Sequence, residues 1–480
     1  MLCMGKNPAT DTLPAAVLIS TYELGHQPFG LASPAAWLRR EGIATHLFDL
    51  SKGKLDDATL GSAGLVAFHL PMHTATRLAA PVIRRIRAAH PTLRMCAYGL
   101  YAPLNAEWLR SIGVNDVLGG EFEEALTVIA KDTCSAGLQA RSTADLPVTA
   151  DPAALPRLRF LVPDRTGLPP LSRYSTLHLG DGTRRVVGYT EASRGCRHLC
   201  RHCPVVPIYN GQFRVVQPDV VLADVDAQVA SGAEHITFGD PDFFNGPTHA
   251  MRIVEALHAR HPALTYDVTI KIEHLLRHRT LLSSLRDTGC LFVTSAVESI
   301  DDRVLTLLDK GHTRQDFFDA VRLSRQAGVI LAPTFVAFHP WTTLGGYAEL
   351  LQVLADLDLI EHVAPIQLAI RLLIPEGSRL LGLGEVRRLI GPFDPTTLTY
   401  QWTHTDSGVD ALQRDVASVV GRRLVSDRSA VFDEISQLVH ERIGWARAAP
   451  RAASGRPSVP YRDEPWYCCA EPNPEQLTLV

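Results

Sequence analysis

Three cysteines on one short stretch of the chain have the spacing of an iron–sulfur ligand set. Cys196, Cys200 and Cys203 lie in the sequence GYTEASRGCRHLCRHCPVVPIYNG. Electron-carrier [4Fe-4S] clusters take four cysteine ligands, so three thiolates can hold such a cluster and leave one iron without a protein ligand. The next cysteine along the chain is Cys290, and no fourth ligand lies nearby in sequence. The open iron would be a site for chemistry.

The residues alone leave two other uses of these cysteines open. A structural zinc site normally has four Cys or His ligands, and His198 or His202 could complete such a set. The cysteines could also be reduced residues of a hydrophobic core.

The Cys-x3-Cys-x2-Cys spacing resembles the signature of radical S-adenosylmethionine (SAM) enzymes. In that family the amino and carboxylate groups of SAM chelate the unique iron, and an electron from the cluster breaks a carbon–sulfur bond of the sulfonium. The resemblance implies a [4Fe-4S] cluster on Cys196, Cys200 and Cys203, with SAM as the second cofactor. It also implies a reducing electron donor such as flavodoxin or ferredoxin.

Residues 1–130 are predicted to form a Rossmann-like, doubly wound domain. Short apolar segments alternate with amphipathic helices such as APVIRRIRAAH. The strand candidates are AVLIST (16–21), THLFDL (45–50), LVAFHL (65–70), RMCAYG (94–99) and the turn after Val117. This alternation is typical of a parallel sheet with helices on both faces. Its order, and the GGEFEEAL segment that opens the last helix, resemble the cobalamin-binding domain found before many radical SAM barrels.

The cobalt-ligating motif of that domain is absent from this chain. An Asp-x-His-x-x-Gly motif would supply a lower histidine ligand, whereas the first strand-to-helix turn reads TYELGHQPFG. Some family members bind cobalamin without the motif, so its absence argues against this cofactor without deciding the matter. We expect the isolated histidines His26, His69 and His73 to be loop or core residues.

Residues 131–185 lack periodicity and predict a linker that passes over the surface. Residues 186–400 return to alternation and predict the partial (β/α)6 barrel of radical SAM enzymes. The six strand candidates are VVGYTEAS, HITFGDPD, LTYDVTIK, LFVTSAVES, VILAPTFVAF and IQLAIRLLI. The working residues of such barrels lie at the carboxyl ends of the strands, and the cysteine loop follows the first strand.

The resemblance to radical SAM enzymes implies roles in SAM binding for polar residues at the other strand ends. The segment from Gly239 to Asp242 stands where these proteins receive the SAM amino group, and Glu298 with Ser299 resembles the pair that contacts the SAM carboxylate or ribose. Arg371, which is predicted to end the sixth strand, is a candidate partner for an α-carboxylate. For each residue an ordinary salt bridge at the barrel rim is the alternative. The predicted cofactor-binding residues are Asp240, Asp242, Glu298, Ser299 and Arg371, with Tyr189 and His339 as weaker candidates.

The C-terminal part is predicted to be a helical appendage, residues 401–450, and an extended tail, residues 451–480. The tail carries the doublet Cys468-Cys469 in the sequence WYCCAEP. Vicinal thiols bind soft, thiophilic atoms well. A redox pair and an accidental doublet are the alternatives.

The ending WYCCAEP resembles that of the CUAEP/CCAEP-tail radical SAM proteins, some of which carry selenocysteine at the position of Cys469. Members of this family are associated with biosynthesis of arsinothricin, in which the 3-amino-3-carboxypropyl group of SAM is thought to pass to trivalent arsenic. The resemblance implies that Cys468 and Cys469 are catalytic residues that hold arsenite as a small-molecule substrate. The alternatives are a cobalamin-dependent methyltransferase, another enzyme that modifies a small molecule or peptide, and a non-enzymatic arsenic or metal sensor.

Composition is that of a globular protein. The residues are 46% hydrophobic and 20% charged, which are values typical of globular proteins. The length of 480 residues suggests two or three domains. The net charge of -4 gives no electrostatic reason to expect nucleic acid or anionic lipid as a partner. No apolar run approaches the length of a membrane span, and the N-terminus MLCMGKNPATDTLP is no secretory signal. Nine cysteines, an odd number, fit a reducing compartment, so we expect a cytoplasmic protein.

Overall fold

A computed structural model describes residues 14–134, 155–422, 427–444, 459–464 and 471. Residues 14–134 form a parallel sheet with helices packed against it. Its strands are β1 Ala15–Ser20, β2 Thr45–Asp49, β3 Ala63–His69, β4 Arg94–Tyr98 and β5 Asp116–Leu118. The helices between them are α1 Phe29–Arg40, α2 Asp57–Gly61, α3 His73–Ala89, α4 Ala106–Ser111 and α5 Glu123–Cys134.

The strand order β2-β1-β3-β4-β5 is that of a doubly wound sheet, which confirms the Rossmann-like prediction. Every residue of β1, with the sequence AAVLIS, is buried, because helices cover both faces of the sheet. In α3 the residues Leu78, Val82 and Ile86 recur at helical spacing and are buried. The strand predicted after Val117 is also present.

A second, curled sheet forms the half-barrel. The strands of this sheet include β6 Thr176–His178, β7 Arg184–Thr190, β10 His235–Phe238, β11 Thr265–Thr269, β12 Cys290–Glu298 and β13 Ile330–Phe335. A separate two-stranded sheet consists of β8 Ser193–Gly195 and β9 Phe213–Val215. The helices are α6 Val206–Tyr209, α7 Pro218–Ala230, α8 Pro247–Arg260, α9 Ile272–Arg277, α10 Leu282–Asp287, α11 Asp302–Leu308, α12 Arg314–Ala327 and α13 Leu344–Asp356. Strands β7, β10, β11, β12 and β13 are parallel neighbours, while β8 pairs with β9.

The sixth strand predicted for the barrel is not formed, which corrects the placement of Arg371 at a strand end. Residues Pro365–Leu368 form a 3-10 turn, and Arg371 makes only an isolated bridge with Phe338. Pro333 lies inside β13 and lacks the N–H group that a ladder needs, which fits the position of β13 as an edge strand of the sheet. Pro365 lacks this group too and lies in the 3-10 turn.

The C-terminal residues add a hairpin, two long helices and one more strand. These elements are α14 Gly384–Arg387, β14 Ile390–Asp394, β15 Thr399–Trp402, α15 Ser407–Gly421, α16 Arg428–Ile443 and β16 Tyr461–Arg462. Strand β16 pairs antiparallel with β6, which itself pairs antiparallel with β7, so a tail segment completes the edge of the half-barrel sheet. Within the described ranges, no helix combines the length and the apolar composition that crossing a bilayer requires.

The segment predicted as a surface linker is, in its described part, packed between the two sheets. Leu155, Leu158 and Phe160 are buried and belong to the main hydrophobic core. A Cβ atom on Gly120 of the N-terminal unit would lie 2.2 Å from Leu155 Cδ2, and Phe160 packs against Arg194 of the half-barrel unit, so this part of residues 131–185 contributes to the contact between the units.

A buried ion cluster joins the two units at the same place. The guanidinium of Arg194, in β8, lies 2.7 Å from Glu123, 3.2 Å from Glu121 and 2.7 Å from Glu191. Only 8% of the Arg194 side chain is exposed, and Phe160 packs 4.8 Å from its guanidinium carbon. Burial would lower the pKa of Arg194, but the carboxylates overcome this effect and raise it.

Candidate active site

The cysteine loop begins where β7 ends and is held by a tight local backbone. The Cys196 amide donates to the carbonyl of Gln212 at 3.1 Å, and the Cys203 amide donates to the carbonyl of Cys200 at 3.2 Å. Gly195 has a φ of +78°, and a Cβ atom there would lie 2.6 Å from the Gln212 carbonyl oxygen. Only glycine fits this conformation and this close approach.

The three thiols of this loop lie close enough to influence one another. Burial raises the pKa of Cys196 to about 11 and that of Cys203 to about 12, and the Cys200 thiol contributes to both increases. A multiply charged iron centre deprotonates its sulfur ligands, so the raised pKa values of Cys196 and Cys203 do not prevent these thiols from binding one. Among the described residues the other cysteines, Cys96, Cys134 and Cys290, are buried elsewhere. The loop therefore offers three ligands to a cluster.

The two histidines of the loop contact carboxylates. His202 Nε2 lies 3.1 Å from Glu298 Oε1, and His198 Nε2 lies 3.3 Å from Asp242 Oδ2. The ligand atoms of Cys196, His198 and Asp242 all lie within 4.8 Å of one another, a spacing that would admit a single metal ion. The geometry alone thus leaves the zinc alternative open.

Glu298, at the carboxyl end of β12, is a buried carboxylate in a strained backbone. Its φ is +69°, which is uncommon for a residue with a side chain, and the ladder with β13 shifts register beside it. Burial would raise the pKa of Glu298, but Lys310 at 3.3 Å and His202 overcome this and lower it to about 2. Strain of this kind is frequent at functional sites.

Asp240 and Asp242 follow β10 and have different surroundings. Asp240 accepts hydrogen bonds from the Ala192 amide at 2.9 Å and from the Ser193 hydroxyl at 2.5 Å, so it fixes the start of the cysteine loop. Burial raises the pKa of Asp240 to about 7. Asp242 lies 2.7 Å from His274 Nδ1, and the histidine contacts lower its pKa although burial opposes them.

A cavity of about 260 Å³ lies at the carboxyl ends of β12 and β13. Glu298 and Ser299 line it, as do His339, Trp341 and Tyr347. The structure thus brings the predicted pair Glu298 and Ser299, and the weaker candidate His339, to one concave site.

Two other predicted residues are engaged elsewhere. The guanidinium of Arg371 donates to Asp410 at 2.7 Å and to the carbonyl of Trp402 at 2.6 Å, and it lies over the Trp402 ring. The Tyr189 ring packs 4.7 Å from His26 at the contact between the two units. Cys468 and Cys469 lie outside the described residues.

Three residues without a predicted site role contact a site residue or precede the cysteine loop, namely Arg194, His274 and Lys310. The signal for His274 is its position in KIEH directly after β11, where strand ends carry function. Arg194 could have been noticed in the sequence because it is a charged residue among small ones in ASRGC. The residues that Arg194, His274 and Lys310 contact could not be predicted from the sequence, because most of them are distant along the chain.

Comparison with known proteins shows to which superfamily the segment with the cysteine loop is similar. Residues 190–342, which include the three cysteines and Glu298, match the sequence model of the radical SAM superfamily. The chain contains a radical SAM domain. Such a domain implies a [4Fe-4S] cluster and SAM, and the three thiols at the carboxyl end of β7 fit the cluster.

Curated relatives of the radical SAM domain are distant. A tRNA-2-methylthio-N(6)-dimethylallyladenosine synthase of Chlorobium phaeobacteroides (strain BS1) is 26% identical over 182 residues, which are 36% of this chain and 40% of the relative. A hopanoid C-3 methylase of Methylococcus capsulatus is 25% identical over 160 residues, 33% of this chain and 30% of the relative. The chain therefore spans less than half the length of these relatives.

Solved structures share the arrangement of both units. The cobalamin-dependent SAM radical enzyme OxsB with aqua-cobalamin bound gives a TM-score of 0.68 at 15% identity, covering 89% of this chain and 73% of OxsB. The radical SAM methyltransferase TsrM of Kitasatospora setae, with cobalamin and a [4Fe-4S] cluster bound, gives 0.56 at 17% identity, covering 72% of this chain and 71% of TsrM. The fold is that of cobalamin-dependent radical SAM enzymes.

Proposed function

We propose that this protein is a radical SAM enzyme that cleaves SAM reductively at a [4Fe-4S] cluster. The observation that carries the proposal is the group of three thiols in one loop at the carboxyl end of β7, inside the residues that match the superfamily. Cys196, Cys200 and Cys203 hold the cluster, which supplies an electron and one open iron when bound.

Glu298 is the residue that we propose for holding SAM beside the cluster. Its carboxylate stays ionised and is buried, it contacts His202 of the cysteine loop at 3.1 Å, and Glu298 lines the 260 Å³ cavity. An ionised carboxylate accepts strong hydrogen bonds from an ammonium or from ribose hydroxyls. Ser299 and Asp242 are proposed to assist, and Asp240 to position the loop. Arg371 remains a proposed carboxylate partner, which would have to leave Asp410.

Replacing Glu298 with glutamine should weaken SAM binding. A lost charge-assisted hydrogen bond of about 1.5–3 kcal/mol corresponds to a Kd for SAM that is about 10–100 times higher. Equilibrium dialysis with the reconstituted protein measures the Kd, while iron analysis verifies that the cluster is retained. Glu441→Gln, at an exposed carboxylate of α16, is the matched control. An unchanged Kd in Glu298→Gln would remove Glu298 from the SAM site.

We further propose trivalent arsenic as the acceptor, held as a dithiolate by Cys468 and Cys469. The tail resemblance motivates this assignment. Two described residues on either side of the doublet support a folded-back tail, because Glu464 contacts Tyr22 and Glu471 contacts His73. Holding the acceptor on the protein turns an encounter of two species into a local reaction.

The proposed step forms a carbon–arsenic bond. One electron breaks a C–S bond of SAM and releases methylthioadenosine with the 3-amino-3-carboxypropyl radical, which bonds to the arsenic lone pair. A second electron from the flavodoxin- or ferredoxin-like donor, with loss of one arsenic ligand as an anion, returns arsenic to the trivalent state. Cleavage at the other C–S bond would release the 5'-deoxyadenosyl radical instead, and the cleavage products distinguish the two courses.

Serine replacements of Cys468 and Cys469 test the acceptor site. We expect arsenite-dependent SAM turnover to fall at least about 100-fold, because the acceptor is no longer positioned. Iron content should stay unchanged. Mass spectrometry of the products measures the turnover, and Cys134→Ala, at a buried cysteine of α5, serves as the control. Turnover at the parent rate would refute arsenic delivery by the tail.

Methyl transfer is the second candidate, favoured by the shared fold with OxsB and TsrM and by the hopanoid C-3 methylase relative. It requires cobalamin in the N-terminal unit, so cobalt content after reconstitution discriminates it. A sensor without catalysis is distinguished by the absence of every SAM cleavage product after reduction.

A further inference from the structure

The N-terminal sheet has a topological switch point between β1 and β3, where the strand order reverses. Ligands of doubly wound sheets bind in the crevice outside the carboxyl ends of the strands at this point. The polar residues at or after the carboxyl ends of β1 and β3 include Tyr22, Glu23, His69 and His73. Cobalamin in this domain would have to reach them.

These residues are engaged by the chain itself. Glu23 Oε1 lies 2.6 Å from His69 Nδ1, so the two side chains pair across the crevice. The Tyr22 hydroxyl donates to Glu464 Oε1 at 2.7 Å. His73, whose side chain is 1% exposed, lies 3.3 Å from Glu471 Oε2.

Arg77 strengthens the contact of His73 with Glu471. Its guanidinium donates to Glu471 Oε2 at 2.6 Å. Burial would raise the pKa of Glu471, but His73 and Arg77 overcome it and lower that pKa. The Glu471 carboxylate is therefore held as an anion by two residues of α3.

The residues before Glu464 are packed as closely. The carboxylate of Asp463 accepts from the Thr176 amide at 2.7 Å, and Arg462 contacts His26, in the loop after β1. A Cβ atom on Gly25 would lie 2.9 Å from the Cβ atoms of both Glu464 and Ser175. Little space separates the C-terminal segment from the loop after β1.

The Arg194 ion cluster packs beside a small cavity at the contact between the two units. The cavity lined by Phe29, Ser33, Phe160 and Arg194 has a volume of about 10 Å³. Pockets for drug-sized ligands have volumes of about 300–1,000 Å³, and cobalamin is larger than such ligands. The strand-end residues that cobalamin would have to contact are paired with one another and with the C-terminal segment, so they do not fit the cofactor.

We infer that the N-terminal unit binds the chain's own C-terminal segment, residues 459–464 and Glu471, at the switch point, and that it does not hold cobalamin. The inference rests on the filled crevice and is independent of the identity of the acceptor. The unit keeps the fold of a cobalamin-binding domain and uses its ligand edge as an intramolecular receptor.

The first test is cobalamin binding by the reconstituted full chain. After incubation with hydroxocobalamin and gel filtration, we expect only trace cobalt in the protein fraction. One equivalent of cobalt per intact chain would overturn the inference. Stoichiometric iron and SAM cleavage with trace cobalt would support both the inference and the radical SAM proposal. Trace cobalt without SAM cleavage would contradict only the radical SAM proposal.

The second test is hydrogen–deuterium exchange of the C-terminal segment. In the parent protein, peptides that cover residues 459–464 should be protected. The double variant Glu464→Gln, Glu471→Gln loses two carboxylate contacts, so exchange there should become at least about tenfold faster. Peptides of β11 should be unaffected, and Glu441→Gln, on an exposed face of α16, should match the parent. Unprotected residues 459–464 in the parent, or identical exchange in the double variant, would overturn the inference.

Discussion

The variant Cys200→Ala should lose its iron and should no longer cleave SAM above background. Three thiolates are the smallest set that fixes the cluster while leaving one iron open, and two would leave two irons without a protein ligand. Cys200 is the most buried of the trio at 7% exposure, so no solvent-borne ligand readily replaces it. Iron analysis after anaerobic reconstitution, with chromatography of SAM cleavage products, measures both effects. Cys196→Ala and Cys203→Ala should behave in the same way.

Cys290→Ala is the matched control for these variants. Cys290 is buried in β12, where its thiol lies 3.4 Å from the Phe292 carbonyl oxygen, away from the cysteine loop. Its removal costs packing but should leave iron content and SAM cleavage at the parent level. The cluster assignment would be contradicted if Cys200→Ala kept both, or if Cys290→Ala lost both.

The variant Arg194→Met should be the most destabilising substitution at the contact between the two units. It leaves the buried carboxylates of Glu121 and Glu123, and the half-buried one of Glu191, without their cation, and breaking a buried ion pair costs about 3–5 kcal/mol. Methionine preserves most of the apolar volume among Phe29, Phe122 and Phe160, so the loss reports on charge. Denaturant titration gives the free energy of unfolding.

Arg303→Ala is the control for charge removal in general. Arg303 pairs with Glu385 at 3.1 Å, but the two side chains are 64% and 40% exposed. Exposed pairs contribute about 0–1 kcal/mol, so this variant should unfold near the parent midpoint. Similar losses for Arg194→Met and Arg303→Ala would show that the buried cluster does not join the units.

The positions of the strands along the chain were predictable because they depend on apolar runs that are local in sequence. The segments AVLIST, LVAFHL and LFVTSAVES each read as buried strands, and each is one. The cysteine loop was predictable for the same reason, since all three ligands lie within one turn-rich segment. The match to the radical SAM superfamily covers residues 190–342, which include this loop.

Features that depend on distant partners were not predictable. The segment IQLAIRLLI has the composition of a strand, yet its neighbour β13 contains Pro333 and the segment pairs only at Arg371. Glu298 was expected at a strand end, but its pairing with Lys310 and His202 arises from the fold. The contacts of Glu464 and Glu471 with the N-terminal unit join residues almost at opposite ends of the chain.

One measurement tests the central claim, an iron that the protein leaves open for SAM. Protein reconstituted with ⁵⁷Fe under anaerobic conditions is examined by Mössbauer spectroscopy with and without SAM. The account predicts a [4Fe-4S] spectrum in which one iron of the four changes its parameters when SAM binds. A cluster whose four irons are all unaffected by SAM, or a protein that retains no iron, would contradict it.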